Sequence, residues 1–294
     1  MRLRGATRIR QARAVNMISK QSIQLGQVQE SLLVPLYGRA LDSLGKRPIL
    51  NDRKAVEMVQ SIDWDFRRFN QRRRVVGCTL RTALFDEWVK DFLSRHPEGT
   101  VVEIGAGLNT RFERLDNGTV HWFDLDLPDT VELRRKFFTD SARRVTLAAS
   151  VLDPGWMAAV RESPGPYCFV AEAVFFYLTE PEVKAALAQI AANFPRLSIA
   201  FDTATRKGID HENQDHARRK LAARFAWACE DPREIERWNI GLRLVESRSM
   251  CDVPDSLRPR LSWSMRTAFR VFARFFPKFA NAYRLNLFAG QSEA

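Results

Sequence analysis

No apolar run in this sequence approaches the roughly 18 residues that a bilayer-spanning helix needs, so no transmembrane segment is expected. Its four cysteines, Cys78, Cys168, Cys229 and Cys251, are widely scattered and none forms C-x-x-C. That excludes a zinc ribbon or a dithiol redox motif, and it fits reduced thiols in a cytoplasmic protein. No metal site is expected. Acids are missing from two stretches. Residues 1–20 carry Arg2, Arg4, Arg8, Arg10, Arg13 and Lys20 with no Asp or Glu. Residues 258–284 carry Arg258, Arg260, Arg266, Arg270, Arg274, Lys278 and Arg284, again with none. The N-terminus also lacks the apolar stretch of a secretion signal. Residues 1–21 therefore read as a disordered basic tail, with a transit peptide or an early start codon as alternatives. The formal net charge is +11. Such a surplus could attract nucleic acid, an anionic membrane or an acidic substrate. No base-stacking or groove-reading pattern accompanies it, so solvated surface is the expected role and no nucleic-acid partner is expected.

What is present centres on residues 99–128, GTVVEIGAGLNTRFERLDNGTVHWFDLDLP. Val101, Val102 and Ile104 suit a strand buried on both faces. Gly105-Ala106-Gly107 follows, allowing a sharp turn and close approach of a ligand to the main chain. A second apolar strand, Val120 to Leu125, ends at Asp124 and Asp126. Asp126 lies 19 residues beyond Gly107, near the spacing of about 20 at which an acid grips ribose hydroxyls. A dinucleotide fingerprint would place a third glycine where Thr110 stands, which weakens a nicotinamide reading. S-Adenosyl-L-methionine carries no phosphate, and a Glu103-x-Gly105-x-Gly107 turn with a ribose acid suits it better.

EIGAGLNTRFERL followed by HWFDLDLPDTVELRRKFF resembles the leucine carboxyl methyltransferase-like family, in its polyketide O-methyltransferase branch. PLYGRALDSLGKRPILNDRKA (35–55), FVAEAVFFYLTEPEV (169–183) and NAYRLNLF (281–288) extend the match over most of residues 30–290. Asn109 stands where the family usually has Asp. The resemblance implies S-adenosyl-L-methionine as cofactor and helices before the first strand that cover it. It further implies that Arg81, in Arg81-Thr82-x-x-x-Asp86, binds the cofactor's carboxylate, chemistry that suits a forked guanidinium. An ordinary Arg81–Asp86 helix pair is the plain alternative. Glu172 is implied beside the cofactor's ammonium, which would compensate a carboxylate set among Phe169, Val170, Val174, Phe175 and Phe176. The turn at Ser150-Val151-Leu152-Asp153 is implied at the adenine. The family usually has an acid at the Ser150 position, and either Ser150 or Asp153 could take its part.

The remaining chain reads in order. Residues 22–96 are mostly helical, with helical spacing over Asp52–Ile62 and Thr82–Leu93. Arg72, Arg73 and Arg74 read as solvated charge. Pro128–Phe138 is a helix and Arg143–Ala149 a third strand. A fourth strand, Phe169–Val174, is interrupted by Glu172. Thr179 and Glu182 form a capping box opening a helix to Ala192. Leu197–Phe201 is a fifth strand ending at Asp202. Residues 206–240 read as polar, then helical, and His211 or His216 there could act as a base. Leu242–Val245 and Leu285–Phe288 are two further strands. Between them Arg266, Arg270, Arg274 and Lys278 oppose Phe269, Phe272 and Phe276. That stripe could lie on a membrane; core packing of the rings, with the basic face in water, is the expectation.

The pattern predicts a doubly wound, mostly parallel seven-stranded α/β sheet of the Rossmann-like methyltransferase kind. Residues 22–97 would be an N-terminal helical lid and 98–294 the methyltransferase core. The expected cofactor-binding residues are Arg81, Glu103, Gly105, Gly107, Asp126, Ser150, Val151 and Glu172. The expected activity is methylation of a carboxylate or phenolic hydroxyl on a small, polyketide-like metabolite. The other readings are an RNA- or membrane-associated protein that keeps the fold, and a nicotinamide oxidoreductase. Oligomeric state and catalytic residues are not legible.

Overall fold

A computed structural model describes residues 29–66, 72–218 and 224–290, without the side chains of residues 29–31 and 72–75. The basic segment 1–21 and the Arg72–Arg74 side chains thus lie outside the described residues. Three helices come first: α1 (Gln29–Ser43), α2 (Arg53–Ser61) and α3 (Arg72–Arg95). Asp52 starts α2 by accepting a hydrogen bond from Ala55 N, and Ala55, Met58 and Val59 form its buried stripe. The α/β part follows: β1 (Thr100–Ile104), α4 (Arg111–Leu115), β2 (His121–Asp126), α5 (Pro128–Arg134), β3 (Arg144–Ala148), α6 (Trp156–Arg161), β4 (Tyr167–Ala171), α7 (Glu180–Asn193), β5 (Leu197–Ala204), α8 (Arg206–Arg218), β6 (Leu242–Ser249), α9 (Trp263–Phe275), α10 (Pro277–Ala280) and β7 (Tyr283–Gly290). The sheet order is β3-β2-β1-β4-β5-β7-β6; β1 to β5 pair in parallel and β7 runs antiparallel to β5 and β6.

Both faces of this sheet are covered, which explains why its strands read as apolar runs. Val101 and Val102, adjacent in β1, point to opposite faces and enter different cores. On one side α6 and α7 bring Trp156, Val183, Leu187 and Ile190 against Phe169, Ile199 and Phe201. On the other, α3 brings Leu84, Phe85, Trp88, Val89 and Phe92 against Val101, Trp122, Val170 and Ala200. Each such fully buried side chain contributes about 1.5–3 kcal/mol over leaving it in water. The capping box at Thr179 and Glu182 is formed as expected.

Since β2 and β3 are added on one side of β1 and β4 and β5 on the other, the strand order reverses between β1 and β4. The crevice beyond their carboxyl ends is where open α/β sheets take ligands. Several boundaries differ from the sequence reading. Glu172 does not interrupt β4 but follows it, because Ala173 adopts φ +58° and its N–H turns to the Asp202 carboxylate. β5 continues through Asp202 to Ala204, since β7 pairs with it as far as Tyr283. Over 206–240 helix comes first, as α8, and the segment 232–238 is only a 3-10 stretch. No helix among the described residues is long and apolar enough to cross a membrane.

One expectation is overturned. Phe272 and Phe276 do not pack in the core; α9 has no buried residue, and both rings are exposed. Only Phe269 and Met265 rest against the core, at its edge. The register of α9 turns about half of its apolar sector outward.

Candidate active site

Two glycines shape the turn after β1. Gly105 and Gly107 have φ of +63° and +46°, a region that side chains rarely adopt. A Cβ on Gly105 would stand 2.4 Å from Val174 Cγ2, and one on Gly107 would stand 2.9 Å from Leu32 Cδ2. Gly105 N–H and Ala106 N–H both donate to Leu125 O, tying the turn to β2. At the end of β2 the Asp126 carboxylate accepts from Gly107 N–H and from Leu127 N–H, each at 2.7 Å. Each of its oxygens keeps a further lone pair. Burial pushes this carboxyl above its ordinary value, against the pull of those two N–H groups.

A cavity of about 430 Å³ opens over these strand ends, within the size usual for small-ligand sites. Among its walls are Glu103, Gly105, Gly107, Asp126, Ser150, Val151, Arg81 and Glu172. Every site residue expected from the sequence is therefore brought together here. Leu32, Pro35 and Arg39 of α1 close one side, and Val174, Tyr177 and Leu178 another. Ser150 faces the cavity, while Asp153 lies outside it with its carboxylate accepting from Gly155 N–H.

Beneath the cavity lies a charge network centred on Arg111, whose side chain is wholly buried. Its guanidinium donates to Asp86 at 2.8 Å, to Glu172 at 2.7 Å and to Glu103. Arg81 Nε donates to Glu172 at 2.8 Å, as does Thr82 Oγ1. Arg114 takes the rest of Asp86, and Arg39 pairs with Asp52 at 3.0 Å. Arg81 and Asp86 thus form no helix pair; each has other partners. Four guanidiniums meet four carboxylates, which makes burial tolerable. Burial would raise Glu172, but Arg81 and Arg111 outweigh it and hold the carboxyl below its ordinary value. Glu103 differs: burial pushes it up to about 7 despite Arg111, with Asp124 adding to the rise. Asn109 donates its Nδ2–H to Glu103 at 2.6 Å. An acid at 109 would set a second carboxyl against Glu103, which disfavours ionisation of the pair.

His211 and His216 do not line the cavity. His216 is buried edge-on to Phe225, and Phe225 in turn packs on Tyr177. Sequence reasoning did not single out Arg111, although it stands in the quoted Asn-Thr-Arg. Nothing in local pattern distinguishes an arginine that is fully buried. It also missed Tyr283. That hydroxyl donates to Asp202 and accepts from Arg81 Nη1 at 3.2 Å. Asp202, pushed by burial up to about 6, uses both oxygens on Ala173 N–H and so fixes the residue after Glu172.

A seven-stranded sheet of this order, with a glycine turn after β1 and an acid closing β2, is the Rossmann-like methyltransferase fold. A solved structure of a DUF574 family protein from Streptomyces avermitilis shares it, at a TM-score of 0.57 and 14% identity over 90% of this chain and all of that one. The family described as leucine carboxyl methyltransferase matches residues 32–191. The chain is 33% identical over 249 residues to the tetracenomycin polyketide synthesis O-methyltransferase TcmP of Streptomyces glaucescens, covering 83% of this chain and 91% of that protein. It is 26% identical over 253 residues to the S-adenosyl-L-methionine-dependent methyltransferase dpfgK of Gibberella zeae, covering 78% and 84% respectively. The chain belongs to the leucine carboxyl methyltransferase family and is an S-adenosyl-L-methionine-dependent methyltransferase.

Proposed function

We propose that this enzyme methylates an oxygen, a carboxylate or a phenolic hydroxyl, on a small polyketide-like metabolite. The observation that carries the reading is the cavity over β1, β2 and β4, with Asp126 on its floor and an apolar wall of Leu32, Pro35, Val174, Tyr177 and Leu178. Bound S-adenosylmethionine supplies an electrophilic methyl group on a sulfonium. Its parts fit the residues present. Asp126 is the acceptor for ribose hydroxyls, and Ser150 with Val151 offers a hydroxyl and an apolar surface for adenine. Gly105 and Gly107 let the main chain approach. Arg81 and Glu172, already paired, present opposite charges to a zwitterionic amino-acid end, and Glu103 stiffens the turn from below through Asn109 and Arg111.

The chain's remaining contribution is positioning and exclusion of water, which can supply most of the acceleration of a displacement between aligned partners. No Lys, His or Cys lines the cavity among the described residues. A carboxylate acceptor, ionised at pH 7, needs no base, whereas a phenol with a pKa near 10 would gain from one. This favours the carboxylate. The relative named for polyketide synthesis is an O-methyltransferase by name, which fits either acceptor, so both enter the test.

The test has two stages. Calorimetry with S-adenosylmethionine and S-adenosylhomocysteine should show binding of both. Transfer from labelled donor to aromatic carboxylic acids and to phenols should then be followed from pH 6 to 10. Carboxyl methylation predicts a rate that is flat with pH; phenol methylation predicts a rate rising about tenfold per pH unit below the phenol's pKa. Transfer to nitrogen or sulfur acceptors only would overturn the reading.

A further inference from the structure

We propose that the outward face of α9 and α10 is a docking surface for an anionic lipid bilayer. This stretch inverts the usual partition of a surface helix. Trp263 is 73% exposed, Phe275 69% and Phe279 60%, and Val271, Phe272 and Phe276 are exposed beside them. Phe272 and Phe276 stack on one another at 5.7 Å, which makes the patch continuous. The helix itself is capped and seated. Ser262 caps it by accepting from Met265 N–H, and Met265 and Phe269, four residues apart, seat it against the body. The apolar sector is simply wider than the seat. A monomeric soluble surface rarely carries a contiguous patch of large rings without a partner.

Charge identifies the partner. Arg266, Arg270, Arg274 and Lys278 recur every four residues along one flank and are all exposed. From Ser256 to Gly290 there is no acidic residue, while Arg258, Arg260 and Arg284 add to the basic count. An amphipathic helix with bulky rings on one face and arginines alongside lies in the plane of a membrane interface, rings among the acyl chains and guanidiniums on lipid phosphates. A second copy of the chain fits less well, because a two-fold contact would set this acid-free stretch against itself. A nucleic acid would satisfy the arginines and leave the phenylalanines facing a polar backbone.

The surface joins the catalytic end of the molecule. α10 ends where Thr205 N–H, just past β5, donates to Ala282 O, and Lys207 Nζ stands 5.3 Å over the Phe279 ring. The residue after Ala282, Tyr283, reaches Arg81. An apolar acceptor dissolved in a membrane would meet the protein on this side. The surface itself stands whatever the acceptor is.

Flotation of the full chain with phosphatidylcholine vesicles, with and without 30 mol% phosphatidylglycerol, tests it. Binding should require the anionic lipid and weaken with salt. Phe275→Ser combined with Phe279→Ser, and separately Arg270→Glu combined with Arg274→Glu, should each cut vesicle affinity roughly tenfold or more. Thermal melts of the variants check folding, and neither pair touches the cavity. Vesicle binding unchanged in both variants would overturn the proposal, since it would then arise elsewhere in a basic chain. So would absence of vesicle binding in the wild type. A dimer dissolved by Phe275→Ser in sedimentation, or oligonucleotide binding lost only with the arginines, without vesicle binding, would assign the face to a second copy or to nucleic acid instead.

Discussion

The Arg111 network and the α9–α10 face break the rule of apolar inside and polar outside in opposite directions. Under the cavity, eight charged side chains pair with one another, Arg39, Asp52, Asp86, Glu103 and Arg111 buried and Arg81, Arg114 and Glu172 partly so. On α9 and α10, large rings stand in water. The difference lies in compensation. Each buried guanidinium meets a carboxylate within hydrogen-bonding distance, so the desolvation cost is offset inside the chain. The exposed rings have no such partner within the described residues. A charged cluster can be satisfied internally, because opposite charges are available from several elements. An outward apolar face can be satisfied only by something else.

Removing the hub of the network should have the largest effect. Arg111→Met leaves Asp86, Glu103 and Glu172 buried without their common counter-ion. We expect a loss of about 3–5 kcal/mol in urea unfolding at pH 7. A loss under 1 kcal/mol would mean that the network is not compensated as described. Glu172→Ala should lower both stability and cofactor affinity, since it strips Arg81 and Arg111 together.

Asp126→Ala should separate binding from folding. Among the described residues the carboxylate accepts only from two main-chain N–H groups at the cavity floor. Calorimetry should show S-adenosylmethionine affinity reduced about 10- to 100-fold, the worth of charge-assisted hydrogen bonds, with the circular dichroism spectrum unchanged. Unchanged affinity would remove Asp126 from the site.

The pH dependence should be smaller and opposite for the two buried glutamates. Glu103 titrates near 7 when folded against 4.5 ordinarily. The folded chain therefore holds this proton more tightly, and the contribution of Glu103 to stability falls as pH rises from about 4.5 to 7. Glu172, held low, contributes stability above its ordinary value and loses it as pH falls below. Melting temperature between pH 5 and 7.5 should decline more gently in Glu103→Gln than in the wild type. An identical slope would show that Glu103 does not carry the effect.

Phe275→Ser should change least, within about 0.5 kcal/mol, because an exposed ring has little burial to lose. A drop of more than 1.5 kcal/mol in urea unfolding would mean that the ring is covered, and the contrast between the two regions would fail.

Much of this site was legible beforehand, for a stated reason. Gly105, Gly107 and Asp126 follow from strand ends and spacing, because main-chain turns and period-two burial leave local marks. Ser150, Val151 and Glu172 follow from their place after β3 and β4, with the resemblance supplying their roles. Arg111 and the Tyr283–Asp202 pair carry no such mark. Their partners lie 61 residues away for Glu172 and 81 for Asp202, and only packing brings them together. The end of β4 was misread for the same reason, since Asp202 on another strand turns Ala173.

The sequence by itself determined the alternation of strand and helix, the glycine turn and the acid closing β2, which depend on neighbours within a few turns of chain, and the family, which rests on motifs that need no folding to be compared. The tertiary structure alone decided which charges pair beneath the cavity, that Ser150 rather than Asp153 faces it, and that α9 presents its phenylalanines outward. Helical periodicity says that a face is apolar; only the rotation at which the helix is seated says how much of that face the protein can cover.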